Sequence, residues 1–228
     1  LLLWIMNSLT PQEIRDRIIK KDSIFCEQLI KYLESVHTGD FHTGSQQQVL
    51  DTINDKSDPK KYPNPIHTLP SAPPTCICLQ KMSHHVANCA YNKWKQHYPQ
   101  VVDHIIAKSN IHKCSTNLKE NGSRMKGREY KGCLDNKWGK CRARFPRTTH
   151  EKTELDFDTG SILLKKREPM INTFTPVLSY LFRCNTDVTS LKSGTALKSV
   201  ILYVTNYITK SPLKTYTIFE VIKSIFEK

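Results

Sequence analysis

The sequence is poor in acidic residues and glycine, and it has no long apolar run. Asp and Glu number 21 against 34 Lys and Arg, a formal charge of +13. That balance excludes an acidic solvating chain and makes a polyanion the leading class of partner. The longest hydrophobic run, Leu1 to Met6, is far shorter than the roughly 20 residues that cross a bilayer. No basic segment precedes it as in a secretory signal, so no membrane partner is expected. Glycine occurs only 8 times in 228 residues and no internal period is visible, which excludes collagen, coiled coil and solenoid. There is no G-x-x-x-x-G-K-[ST] phosphate loop and no His-x-His pair. The first residue is Leu rather than Met, and an N-terminally incomplete chain is the expectation.

Enough apolar residue remains for a core. Leu1 to Met6 reads as a buried strand. Thr10-Pro11-Gln12-Glu13 is a helix-start signal, with a capping Thr, a first-turn Pro and a Glu three residues after the cap. Ile14, Ile18 and Ile19 then give an apolar stripe. A second helix starts at Asp22 or Ser23, with Phe25, Leu29, Ile30 and Leu33 at helical spacing. Prolines 59, 63, 65, 70, 73 and 74 crowd the following stretch. Residues 36–74 therefore read as an extended linker without core. Residues 87–108 are amphipathic and helical through Tyr91, Trp94, Tyr98, Val101, Val102, Ile105 and Ile106, with a bend expected at Pro99. Ser161 to Lys165 follows an Asp158-Thr159-Gly160 turn and reads as a strand. Pro176 to Phe182 reads as a short helix and Cys184 to Leu191 as a strand or strand–loop. Two further helices are expected, one from Thr195 to Thr209 and a final amphipathic one.

Eight cysteines allow a four-disulfide framework, but no signal directs the chain to an oxidising compartment. Clustered Cys and His then point to metal. Cys76, Cys78 and Cys89, with His84 and His85 between them, form one candidate cluster. His112, Cys114, Cys133 and Cys141 form a second. Either supplies soft N and S ligands for a tetrahedral Zn2+, and ligands drawn from both remain an alternative. Zinc binding energy would serve as folding energy for a stretch with few large apolar residues. Cys26 and Cys184 sit in apolar surroundings and are expected to be core thiols.

The charge is concentrated. Residues 108–152 hold thirteen Lys or Arg against four Asp or Glu, a net +9 of the chain's +13. Within them, Lys137-Trp-Gly-Lys140-Cys-Arg142-Ala-Arg144-Phe-Pro-Arg147 interleaves cations with Trp138 and Phe145. Lys140, Arg142, Arg144, Arg147 and Trp138 are the candidate nucleic-acid contacts, because cations neutralise phosphates and rings stack on unpaired bases. No recognition-helix pattern is present, so single-stranded DNA fits better than duplex.

On the helix from Thr195, Leu197, Val200, Ile201, Val204 and Ile208 form the apolar stripe. Tyr203 and Tyr207 stack one turn apart on its flank, with Lys210 beyond them. A phenol has a pKa near 10, so attack on a phosphodiester requires phenolate stabilisation, which Lys210 can supply, and a polarising metal.

Five strings, LLWI at Leu2 to Ile5, CRARFPR at Cys141 to Arg147, INTFTP at Ile171 to Pro176, RCNTDVTSL at Arg183 to Leu191 and YVTNYITK at Tyr203 to Lys210, give the chain a family likeness. It resembles the helitron helicase-like domain, the Rep nuclease part of Helitron rolling-circle transposases, especially of fungal type. The resemblance implies an α+β fold of the His-hydrophobic-His endonuclease class, an antiparallel sheet with flanking helices, here incomplete and with a zinc-binding insertion. It implies tyrosine nucleophiles at Tyr203 and Tyr207, followed by Lys210, that cut single-stranded DNA and become linked to a 5′ phosphate. It also implies Mg2+ or Mn2+, a helicase domain in longer members and a nuclear location. The family's two metal histidines precede the LLWI string, and this chain starts there. The expected organisation is residues 1–75 as strand, helices and Pro-rich loop, 76–150 as the Cys/His-rich basic module, and 151–228 as the part carrying the tyrosine helix. A non-catalytic zinc-stabilised nucleic-acid-binding module and an inactive remnant are the competing expectations.

Overall fold

A computed structural model describes residues 6–55, 64–75, 89–117, 132–188, 201–202 and 204–205. Among these, helices dominate and one two-stranded antiparallel sheet is present. The chain divides into two compact units. One comprises Leu1–Asp22, Asp156–Ser161 and Ser190–Lys228; the other comprises Ser23–Leu155 and Ile162–Thr189. The LLWI string, Tyr203, Tyr207 and Lys210 lie outside the described residues, as do Cys76, Cys78, His84 and His85.

In the first unit, α1 spans Pro11–Ile19 and opens on the expected capping box. The Glu13 amide donates to Thr10 Oγ1 at 3.2 Å, and the Glu13 carboxylate accepts from the Thr10 amide at 2.7 Å. Those bonds, backbone first, hold the Glu13 carboxyl below its ordinary pKa. Of the expected stripe, Ile18 is buried but Ile19 is exposed. Arg15 Nε donates to the Thr159 carbonyl at 3.0 Å, in the turn between β1 (Glu154–Asp156) and β2 (Ser161–Leu163). Gly160 takes φ +68, and a Cβ there would fall 2.5 Å from Arg15 Cγ. Both conformation and space therefore demand glycine. Ile201, Leu202, Val204 and Thr205 are helical. Ile201 and Val204, expected on the apolar stripe, are exposed.

In the second unit, α2 (Ser23–Val36) and α4 (Ala90–Ser109) follow the sequence expectation, and α4 runs on through Pro99. The core gathers Phe41, Val49, Val102, Ile105, Ile106, Ile171, Phe174 and Tyr180. Phe41 and Val49 correct the reading of residues 36–74 as a coreless linker. The prolines that suggested it begin at residue 59. Before them lies α3 (Gln46–Asp55), free of Pro and Gly, with Val49 and Ile53 one turn apart. The Ser45 amide donates to Gln48 Oε1 at 2.8 Å, and the Gln48 amide to Ser45 Oγ at 3.4 Å, a reciprocal cap that a proline count hides. The prolines themselves supply a 3-10 turn, Pro65–His67, with Pro65 buried.

The short α5 (Pro176–Phe182) forms as expected. Phe174, fully buried, bridges to Thr38 through backbone bonds of 2.8 and 2.9 Å. Phe174 of the INTFTP string thus has a packing role here. Asn110, at the end of α4, accepts from the Asn172 amide at 2.9 Å and donates to the Thr186 carbonyl at 3.1 Å. Cys26 is buried as expected, but Cys184 is exposed and is no core thiol. It follows the left-handed Arg183 that ends α5, which turns its side chain out of the packing.

Candidate metal centre

After Asn110 the chain leaves α4, and His112 is anchored by its amide to the Met170 carbonyl at 2.8 Å. From there backbone bonds, among them the Leu134 amide to the Ser115 carbonyl at 3.0 Å and the Arg142 amide to the Cys133 carbonyl at 3.0 Å, combine with side-chain bonds. Asp135 accepts from Thr116 Oγ1 at 2.6 Å and from the Gly132 amide at 2.6 Å. Asn136 Nδ2 donates to the carbonyls of Cys133 and Lys140 at 3.1 and 2.7 Å. These contacts fold residues 132–141 back onto residues 112–116.

The result is a group of four ligand atoms from His112, Cys114, Cys133 and Cys141, all within 4.8 Å of one another. This is the second cluster that the spacing suggested, and it can hold a metal ion. His112 Nε2 lies 3.2 Å from Cys141 Sγ. The His112 ring stacks on Phe145 at 4.3 Å between centroids and 11° between planes, which fixes the imidazole's direction. The Ser115 amide donates to Cys133 Sγ at 3.2 Å. Three sulfurs and one imidazole nitrogen suit a closed tetrahedral site.

The thiols are electrostatically unequal. Desolvation, then the neighbouring thiols of Cys141 and Cys133, push Cys114 up to about 11. Desolvation also acts against the Cys141 thiolate, but amides of Phe145 and Ala143 and the other two thiols outweigh it and hold Cys141 below its ordinary value. Without a cation, three thiolates this close repel one another, so part of the cluster stays protonated. A bound cation removes that conflict.

Cys89 stands at the N-cap of α4, outside this group. The six described cysteines are thiols rather than half-cystines, so the disulfide alternative finds no support among the described residues.

The basic loop is continuous with the cluster, because Cys141 is both a ligand candidate and a member of the CRARFPR string. Lys137, Trp138 and Lys140 are exposed, and Lys137 Nζ lies 4.7 Å from the Trp138 ring centre. Arg142 is exposed and spends one nitrogen on the Gly132 carbonyl at 3.0 Å. Arg144 is exposed at φ +62. Arg147 is half-buried; its guanidinium lies 4.7 Å over Phe145 and reaches Asn172 Oδ1 at 3.3 Å. Phe145 is itself buried, so it stacks on His112 rather than being open to a base. Trp138, 70% exposed, is the open ring of the segment, with Lys137 over one face.

Sequence reasoning missed Asp103. Only 1% exposed, it sits among the apolar residues of α4. Its carboxylate accepts from the amides of His42 and Thr43 at 2.9 and 2.7 Å and from Thr43 Oγ1 at 2.6 Å. A charged residue inside an apolar stripe was the available signal, since burial demands such partners.

No protein-family model matches the chain, and no curated protein and no solved structure matches it.

Proposed function

We propose that this chain binds single-stranded DNA through a zinc-ordered basic module, as part of a Rep nuclease of the Helitron class. The observation that carries the reading is the His112–Cys114–Cys133–Cys141 group at the root of the loop bearing Lys137, Lys140, Arg142 and Arg144. Zinc suits three thiolates and an imidazole better than a hard cation does. Its binding energy would add to the hydrogen bonds that hold the loop. The exposed cations would then meet phosphates, which positions a strand without reading its sequence. Trp138 adds a ring on which an unpaired base can stack.

The resemblance supplies the reaction. Under it Tyr203 and Tyr207 would be the nucleophiles and Lys210 would steady a phenolate, while Mg2+ or Mn2+, held in the intact family by a His-x-His pair that this sequence does not contain, would polarise the phosphate. Trapping a single-stranded oligonucleotide as a covalent adduct on a version extended upstream through a His-x-His strand, lost on Tyr203→Phe with Tyr207→Phe, tests that part separately.

The binding reading is tested by fluorescence anisotropy of a labelled single strand against the zinc-loaded chain, the chelated chain and the reloaded chain. Affinity should fall on chelation and return with zinc. Equal affinity in a chain shown by metal analysis to be zinc-free would contradict it.

A further inference from the structure

The two stretches that carry Cys114 and Cys133 are joined by bonds of the protein itself. The Leu134 amide donates to the Ser115 carbonyl at 3.0 Å. The Ser115 amide donates to Cys133 Sγ at 3.2 Å. Thr116 Oγ1 and the Asn117 amide donate to the Asp135 carboxylate at 2.6 and 3.0 Å. A Cβ at Gly132 would collide with the Ser115 carbonyl, so glycine is what lets the two backbones come so close. Cys114 and Cys133 are therefore neighbours by backbone pairing, before any ligand is considered.

Cys141 is placed differently. Its Sγ lies 3.2 Å from His112 Nε2, and its carbonyl accepts from the Arg144 amide at 2.9 Å in a turn of its own. The three sulfurs and the imidazole nitrogen all lie within 4.8 Å of one another. Cys114 is exposed, whereas Cys133 and Cys141 are half-buried. A small oxidant thus meets Cys114 first, with a second sulfur already at hand. Redox-sensing cysteines share those two properties, access from solvent and an adjacent resolving thiol.

We infer that the metal centre is also a redox switch, in which a peroxide joins Cys114 to Cys133 and expels the cation. The inference rests on the reading of this group as a zinc site and names its regulation. The Cys114 sulfur attacks one peroxide oxygen, the O–O bond breaks and hydroxide leaves, which makes a sulfenic acid. The Cys133 sulfur then attacks the Cys114 sulfur, the S–O bond breaks, a second hydroxide leaves and the S–S bond forms. The two sulfurs give up two electrons, the peroxide takes them, and solvent protonates both hydroxides to water. Two of the four ligands are consumed, and His112 with Cys141 cannot make a closed tetrahedral site. A dithiol reverses the step and restores both ligands. A disulfide of this kind is transient in a reducing compartment, in keeping with the thiols seen here.

The test uses the full chain with Cys76→Ser and Cys78→Ser, loaded with zinc and treated with hydrogen peroxide. A chromogenic indicator reads the zinc released. Mass spectrometry of tryptic peptides reads the crosslink, since Lys and Arg separate Cys114, Cys133 and Cys141 in the sequence. Loss of nearly all the zinc in step with a Cys114–Cys133 crosslink is expected, and dithiothreitol should return the metal. Cys184→Ser, which removes an exposed thiol outside the group, should change neither result. The switch is overturned if zinc stays bound under peroxide, if Cys114 joins Cys141 instead, or if the zinc leaves only with oxidation that dithiothreitol does not reverse. A chain that takes up no zinc refutes the metal reading instead. The pairing is then judged on the metal-free chain, where the same crosslink is expected and its absence overturns the switch. If peroxide expels zinc reversibly while strand affinity stays constant, the DNA reading fails and the switch stands.

Discussion

His112 Nε2 and Cys141 Sγ lie 3.2 Å apart although 29 residues separate them in sequence. Cys114 and Cys133 complete the same group. Thiols and an imidazole that converge in this way can hold a cation. The consequences are measurable on the metal, the bound strand and the core.

Zinc affinity should climb with pH. Cys114, pushed up to about 11 in the metal-free chain, is protonated at neutral pH and must lose its proton to become a ligand. Binding therefore releases protons, and acid competes with the metal. Competition titrations with a chromogenic chelator should show tighter binding at about pH 8 than at about pH 6.5. An affinity that does not change with pH would mean the thiols are not ligands.

Salt should weaken DNA binding less once the loop's cations are removed. Each phosphate contact on a single strand contributes about 0.7 to the slope of log affinity against log salt. The triple variant Lys140→Ala, Arg142→Ala, Arg144→Ala should lower that slope by about 2. An unchanged slope would place the phosphate contacts elsewhere in the chain.

Asp103 is a structural carboxylate, and Asp103→Ala should show it. Removing it takes the buried carboxylate acceptor from three donors of His42 and Thr43. The cost should be on the order of 3 kcal/mol in urea unfolding. A loss below about 0.5 kcal/mol, the level of an ordinary surface change, would show that the loop at residues 40–45 does not need this anchor.

Lys166 gives the core a pH signature. It is 6% exposed, and its ammonium donates to the Ile171 carbonyl. Burial, then the Arg147 charge, push its pKa down to about 8 from an ordinary value of 10.5, against the opposing pull of Asp187, Asp40 and Glu168. Between those two values the unfolded chain holds the proton and the folded chain does not. Stability should therefore rise from about pH 8 to about pH 10.5. Urea midpoints of the zinc-loaded chain should follow that rise, and Lys166→Met should remove it. A midpoint that falls equally in both proteins would contradict the assignment.

Local signals in the sequence were legible wherever one residue controls one bond. Thr10 and Glu13 announce a capping box, Asp158-Thr159-Gly160 a turn, and the Cys/His spacing of residues 112–141 a shared site. The core loop at residues 40–45 was not legible, because its partner is Asp103, some sixty residues away. Nothing in local periodicity reports such a pair. The α3 helix was hidden by prolines beyond its own end. Phe145 looked like a stacking platform for bases, and only the fold shows that His112 occupies its face.

The most direct test of the metal centre is X-ray absorption at the zinc edge, on a chain with Cys76→Ser and Cys78→Ser so that one cluster alone is sampled. The first shell should contain three sulfurs near about 2.3 Å and one nitrogen near about 2.0 Å, and Cys133→Ser should lose a sulfur or the metal. A shell of nitrogen and oxygen alone, or no zinc retained by the Cys76→Ser, Cys78→Ser chain, would contradict a site built from His112, Cys114, Cys133 and Cys141.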